Sequence, residues 1–166
     1  MTSKGSAVIL ALIAFAGSSP SCGKSSSNGV NSTATSSANR AVENANIART
    51  NVEELGVIVN VPYEAEDVVW KEKPDNKRVL AVLRFSPADS NKVVAEAEAF
   101  GRAEKVQLSA ETWFPDELIA QSDMRGDSVL RGTAYPANRF FQEPFSSGSL
   151  IRVEGSDYFI LDLTAK

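Results

Sequence analysis

The carboxylates flanking Trp113-Phe114 come nearest, by type and spacing, to a reaction centre. Glu111, Asp116 and Glu117 bracket the two rings. A carboxylate pair beside aromatics suits cleavage of a glycosidic bond, with one group as acid and the other as base or nucleophile. The same residues have a plainer meaning. Pro115 suits the first turn of a helix, where the helix dipole favours negative charge at Asp116 and Glu117. Glu64, Glu66 and Asp67 form a second acidic cluster, of the hard-oxygen type a calcium ion takes, and are equally the ordinary make-up of a solvated loop. Arg125-Gly126-Asp127 matches the integrin-recognition tripeptide, while Gly126-Asp127-Ser128 is adequate turn chemistry by itself.

What is missing limits the chemistry further. The chain has no histidine, which removes imidazole bases, Ser-His-Asp and Cys-His triads and histidine-ligated zinc. It carries no phosphate-binding glycine loop, dinucleotide fingerprint or EF-hand loop. The expectation is a protein with no cofactor, no metal and no assigned catalytic residue. From residue 51 onward there are 20 acidic and 13 basic residues, whereas the first 50 carry four basic and one acidic. An acidic domain is repelled by phosphate backbones, so no nucleic-acid partner is expected.

The N-terminus carries an address. Lys4 precedes an uninterrupted apolar run over 7–16, then Gly17-Ser-Ser-Pro-Ser-Cys22. This is the layout of a secretory signal, and the run of about ten residues falls short of the roughly 20 that a spanning helix needs. Ala14-Phe15-Ala16 offers cleavage after Ala16, giving a soluble periplasmic or secreted protein. Ser19-Pro20-Ser21-Cys22 offers cleavage before Cys22 with lipid on its thiol, and in this respect the N-terminus resembles bacterial lipoproteins, although Ser19 stands where that family usually has Leu. The resemblance covers about the first 25 residues. It implies a signal peptide over 1–21, a lipidated Cys22 anchored in the bacterial cell envelope, and, with Gly23 next, the outer membrane rather than the inner. Assigning the only cysteine to lipid also removes thiol catalysis, disulfides and thiolate metal sites.

Behind Cys22, residues 23–50 are rich in Ser, Asn, Thr, Ala and Gly and contain no aromatic residue, as in a flexible tether with a reach on the order of 30 Å. Residues 38–55 can turn helical as the tether nears the domain.

Residues 51–166 suffice for one small domain. Patterning predicts an α+β fold, mostly antiparallel sheet, with one main helix at about 87–100, short helices and a C-terminal β-hairpin. Residues 67–73 and 78–85 read as a hairpin whose second, nearly all-apolar strand is central. Ser86, Pro87 and Asp89 start the main helix, Val93, Ala97 and Phe100 face the core, and Gly101 stops it. A short helix starts near Pro115, a strand covers 128–135 and a turn or short helix 136–141. The closing hairpin pairs 149–154 with 157–164, and the mixed polarity of Tyr158, Ile160 and Asp162 suggests an edge or partial exposure.

Trp70, Phe85, Phe100 and Phe159 fall at core positions of these elements. Trp113, Phe114, Phe140, Phe141 and Phe145 crowd loops and short helices, either as a satellite cluster or as an aromatic patch for a partner. The expected role is non-catalytic binding of a protein or glycan, or a structural role, at the membrane surface. The alternative is a small carboxylate-dependent hydrolase of envelope glycans.

Overall fold

The computed structural model describes residues 47–73, 77–124 and 126–166. Residues 1–46, with the expected signal peptide, Cys22 and most of the expected tether, residues 74–76 and Arg125 lie outside the described residues. The elements run α1 (Val52–Ile58), β1 (Ala65–Glu72), β2 (Arg78–Phe85), α2 (Pro87–Glu98), β3 (Glu104–Ser109), α3 (Asp116–Asp123), β4 (Val129–Pro136), a 3-10 turn (Asn138–Phe140), β5 (Phe145–Val153) and β6 (Tyr158–Ala165). The domain is α+β, with one open six-stranded sheet in the order β1-β2-β6-β5-β4-β3 and every neighbouring pair antiparallel. No helix among the described residues is long and apolar enough to cross a membrane.

Two cores follow from strand alternation. Val79, Ala81, Leu83 and Phe85 of β2 share a face with Phe159, Leu161 and Leu163 of β6, and with Val68 and Trp70 of β1. Leu55 and Val59 around α1, Val93 of α2 and Phe140 cover this face. On the other face Leu80, Val82, Tyr158, Ile160, Leu130 and Val153 lie under Phe114 and Leu118. A strand buried on both faces reads as a continuous apolar run, which is why β2 was recognisable.

Of the two expectations for β6, partial exposure holds, since Asp162 is half-buried, and the edge does not. The strand lies between β2 and β5, with Tyr158 and Ile160 buried. Its one charge on that face, Asp162, accepts from Nε and Nη2 of Arg78, at 2.7 and 2.6 Å. Polarity here marks a pair between neighbouring strands rather than an open side.

α2 begins as predicted: Ser86 Oγ accepts from the Asp89 N–H, and Pro87 occupies the first turn. It ends earlier than expected. The helix stops at Glu98, and the Ala99 and Phe100 N–H groups turn back to Glu96 and Ala97, three residues before each. That tightening rotates Phe100 off the buried face, so the ring predicted to be core is 51% exposed. Gly101 adopts no left-handed cap. Its role is proximity, because a Cβ there would lie 3.0 Å from Pro136 Cγ. α2 therefore starts beside the end of β2 and finishes beside the end of β4, crossing its face diagonally.

Of the helix expected over 38–55, residues 38–46 lie outside the described residues and 47–51 are not helical; the described helix is α1, capped by Asn51, whose side chain accepts from the Glu54 N–H at 3.1 Å. Its N-terminal neighbour is already in the sheet: Arg49 exchanges backbone hydrogen bonds with Trp70. Sheet contacts thus begin before residue 51.

Ser90, on the buried side of α2, has a fully buried hydroxyl without a hydrogen-bond partner. Ser90→Ala removes that unpaired group and improves helix propensity. The expected result is unchanged or higher stability, by up to about 1 kcal/mol, in urea unfolding.

One polar network ties α2 to its surroundings. Glu96 accepts from Tyr63 O–H at 2.7 Å and from Arg139 Nε at 2.8 Å. These bonds, Arg139 first, hold the Glu96 carboxyl below its ordinary range. A carboxylate lowered on folding stabilises above its unfolded value and loses that contribution as pH falls through the folded value. The melting temperature should therefore drop below about pH 4.5, and Glu96→Gln should flatten part of that drop. Asp89, lowered by Lys92 and Ser86, sustains the remainder.

Candidate functional site

The structure does not assemble the five candidate aromatics into one patch. Phe114 belongs to the core beneath α3, whereas Phe140 and Phe145 belong to the core on the opposite face, and all three are buried. Trp113 and Phe141 are half-buried, on opposite sides of the sheet. Trp113 stands edge-on to Phe114, donates its indole N–H to Glu111 and has the Lys71 ammonium 5.3 Å from its ring centroid.

The candidate carboxylates are likewise separated. Glu111 is turned toward Trp113 and the Arg78 side of the sheet, while Glu117 acts on Tyr158 near the start of β6. Burial first, then Glu117, raises the Tyr158 hydroxyl above its usual value. In the other acidic cluster, Glu64 borders a cleft beside α1, Glu66 lies 3.5 Å from Arg84, and Asp67 accepts from the Tyr158 hydroxyl at 3.4 Å. Among the described residues no group of three or more such side chains converges on a metal-sized site. Asp127 serves its own turn, accepting from the Val129 N–H.

A different surface is open. Because α2 runs diagonally, the described residues leave the β3–β4–β5 corner of its face uncovered. Strand alternation places Lys105 and Gln107 of β3, Arg131 and Thr133 of β4 and Arg152 of β5 on that corner, in register: Lys105 faces Thr133, Thr133 faces Arg152, and Gln107 faces Arg131. The β5–β6 turn, Glu154 to Asp157, rises at one end. A cleft of about 440 Å³ lies between this turn and Thr133, Tyr135 and Arg152, and one of about 330 Å³ adjoins it over Lys105, Gln107 and Arg131.

Gly132 sets the spacing of this floor. A Cβ there would lie 2.6 Å from Arg152 O and 2.7 Å from Ile151 Cγ2, so only glycine lets β4 approach β5 this closely. Lys105 Nζ reaches across β4 to Glu154 at 2.9 Å. Arg152 lies 3.5 Å from Asp157, and Arg131 3.9 Å from Asp127, both too long for tight pairing. Arg152 also stands 5.9 Å from the Phe159 ring centroid. Ser156 Oγ is engaged within its turn, donating to Val153 O and accepting from the Tyr158 N–H.

The floor thus presents two guanidinium groups and an ammonium interleaved with carboxylates and hydroxyls. Its charges nearly balance, so it favours a ligand with many donors and acceptors over a simple anion. Patterning missed it because β3, with the run Glu-Lys-Val-Gln-Leu-Ser, reads as weakly amphipathic and short. The available signal was the alternation of Lys105 and Gln107 with Val106 and Leu108. Compared with known proteins, the chain matches no family model, no curated protein and no solved structure.

Proposed function

We propose that this chain is a bacterial envelope lipoprotein, anchored through Cys22, whose α+β domain binds a polar partner, glycan or protein, on the open β3–β5 floor without catalysing a reaction. The observation that carries the anchor is the position of the sole cysteine, directly after the signal-like apolar run and before a Ser-rich tether. Several acyl chains, at about 0.8 kcal/mol per buried methylene, make such an anchor effectively permanent.

The test of the anchor is the mass of the mature N-terminus after expression of the full chain in a bacterial host. A diacylglycerol-modified Cys22, with Cys22→Ser shifting the protein out of the membrane fraction, is the expected outcome. An unmodified terminus at Gly17 defeats it. The floor is tested separately, by retention of the lipidated chain on purified cell-wall glycan. Arg131→Ala/Arg152→Ala, which removes charged donors, should weaken retention about tenfold or more. Equal retention by the variant removes this face from consideration.

A further inference from the structure

The sheet has two edges, and the chain treats them differently. At the β1 edge the register slips between Ala65 and Asp67, Arg49 pairs with Trp70, and Glu66, Asp67, Lys71 and Glu72 supply charge. Bulge, cover and charge are the devices that stop an edge from pairing with another chain. Among the described residues β3 has neither bulge nor cover, and its charges, Glu104 and Lys105, sit together at its start. It pairs with β4 without a slip from Glu104 to Ser109 and contains neither proline nor glycine. Among the described residues no segment pairs with its outer side. Its side chains divide cleanly: Val106 and Leu108 are half-buried on the second core's face, with Leu108 packed against that core, while Lys105, Gln107 and Ser109 are exposed on the polar floor.

We infer that β3 pairs antiparallel with β3 of a second copy, joining the two sheets edge to edge. The residues select one register. With Gln107 opposite Gln107, Val106 meets Leu108 of the second copy and Lys105 meets its Ser109. Apolar then faces apolar on the core side, polar faces polar on the floor, and no like charges oppose. Centring on Lys105 sets two ammonium groups against each other. Centring on Val106 puts Glu104 against Leu108, and centring on Leu108 leaves only Gln107 to Ser109 of each β3 paired. In the selected register the two floors become contiguous, with Lys105 and Gln107 of both copies lining the seam. The pairing stands whether or not the floor binds the partner proposed above, because it rests on the edge alone.

Residues opposite each other across an antiparallel pair have Cα atoms about 4.5–5.5 Å apart, within disulfide reach. In the full chain, expressed in a bacterial envelope and then oxidised, Gln107→Cys is expected to give a covalent dimer. Wild type, whose only cysteine is Cys22, and the exposed helix variant Glu98→Cys set the background. Cross-linking of Gln107→Cys no greater than that background overturns the proposal. In sedimentation of the detergent-solubilised full chain, Gln107→Lys, which opposes two like charges, should raise the dimer dissociation constant about tenfold or more, and Gln107→Ser should not. A monomeric wild type, or a dimer that tolerates Gln107→Lys, equally overturns it.

Discussion

Gly148→Ala is expected to destabilise the domain by about 2–4 kcal/mol, combining backbone strain with overpacking. Gly148 has φ +145, a conformation that side chains rarely adopt, and it follows the register shift between Phe145 and Ser147. A Cβ there would overlap Asp162 O and lie 2.9 Å from both the Leu163 Cα and Leu163 Cδ2. Two of these obstacles are backbone atoms of β6, a strand held on both sides by hydrogen-bonded neighbours, so neither can retreat cheaply. The change should appear as a lower urea midpoint with an unchanged slope, since surface exposed on unfolding is nearly the same. Gly155→Ala is the matched control. Gly155 also has positive φ, +75, yet a Cβ there meets nothing within 4 Å. Its cost should be limited to the strain, about 1 kcal/mol. Equal losses in the two variants would mean that close β5–β6 approach contributes little at Gly148.

Much of the fold could be read from the chain because local and tertiary signals agree in its strongest elements. β2 is apolar at nearly every position and is buried on both faces; Ser86-Pro87-Ala-Asp89 starts a helix that packs one face; the Gly155 turn joins the final hairpin. The readings that failed share a cause. Phe100 and the edge position of β6 are not set within their own elements: Phe100 is placed by where the helix stops, and β6 by β2 and β5 on either side of it. The start of α1 was not legible because seven residues give a weak period and it depends on the Asn51 cap and on Trp70 nearby. β3 went unseen because an edge strand with one half-buried face lacks a continuous apolar run.

The open floor was still less legible. Lys105, Arg131 and Arg152 come from three strands whose order follows from the sheet, with β3 outermost although it precedes β4, β5 and β6 in sequence. No local spacing brings those residues together. By contrast Glu111 and Glu117, six residues apart in sequence, are turned to different partners once α3 and the Trp113 turn form, and Asp116 stays exposed in the first turn of α3. Sequence proximity was the wrong guide to a shared site here.

Trp70→Ala is expected to cost about 3–5 kcal/mol, as for truncating a large buried aromatic, and to release a segment that Gly148→Ala leaves in place. Trp70 is 1% exposed, its indole N–H donates to Asn51 O at 3.1 Å, and the Arg49 guanidinium stands 4.7 Å from its ring centroid. Its backbone exchanges hydrogen bonds with Arg49. One residue therefore packs the first core, anchors the N-cap of α1 and fastens the preceding strand-like residues to the β1 edge. Trp70→Phe separates these roles. It keeps an aromatic ring for packing and for Arg49, and removes the indole N–H, at a net cost of about 1 kcal/mol from the hydrogen bond plus some lost volume. Trypsin cleavage after Arg49 under native conditions reads the clamp directly. It should accelerate strongly in Trp70→Ala and modestly in Trp70→Phe, and should remain slow in Gly148→Ala under conditions where that variant is still folded. Cleavage that follows global stability alone across the three variants would exclude a local clamp. Fastening Arg49 to Trp70 also occupies the β1 edge, so the edge left to meet another strand is β3, at the far side of the sheet.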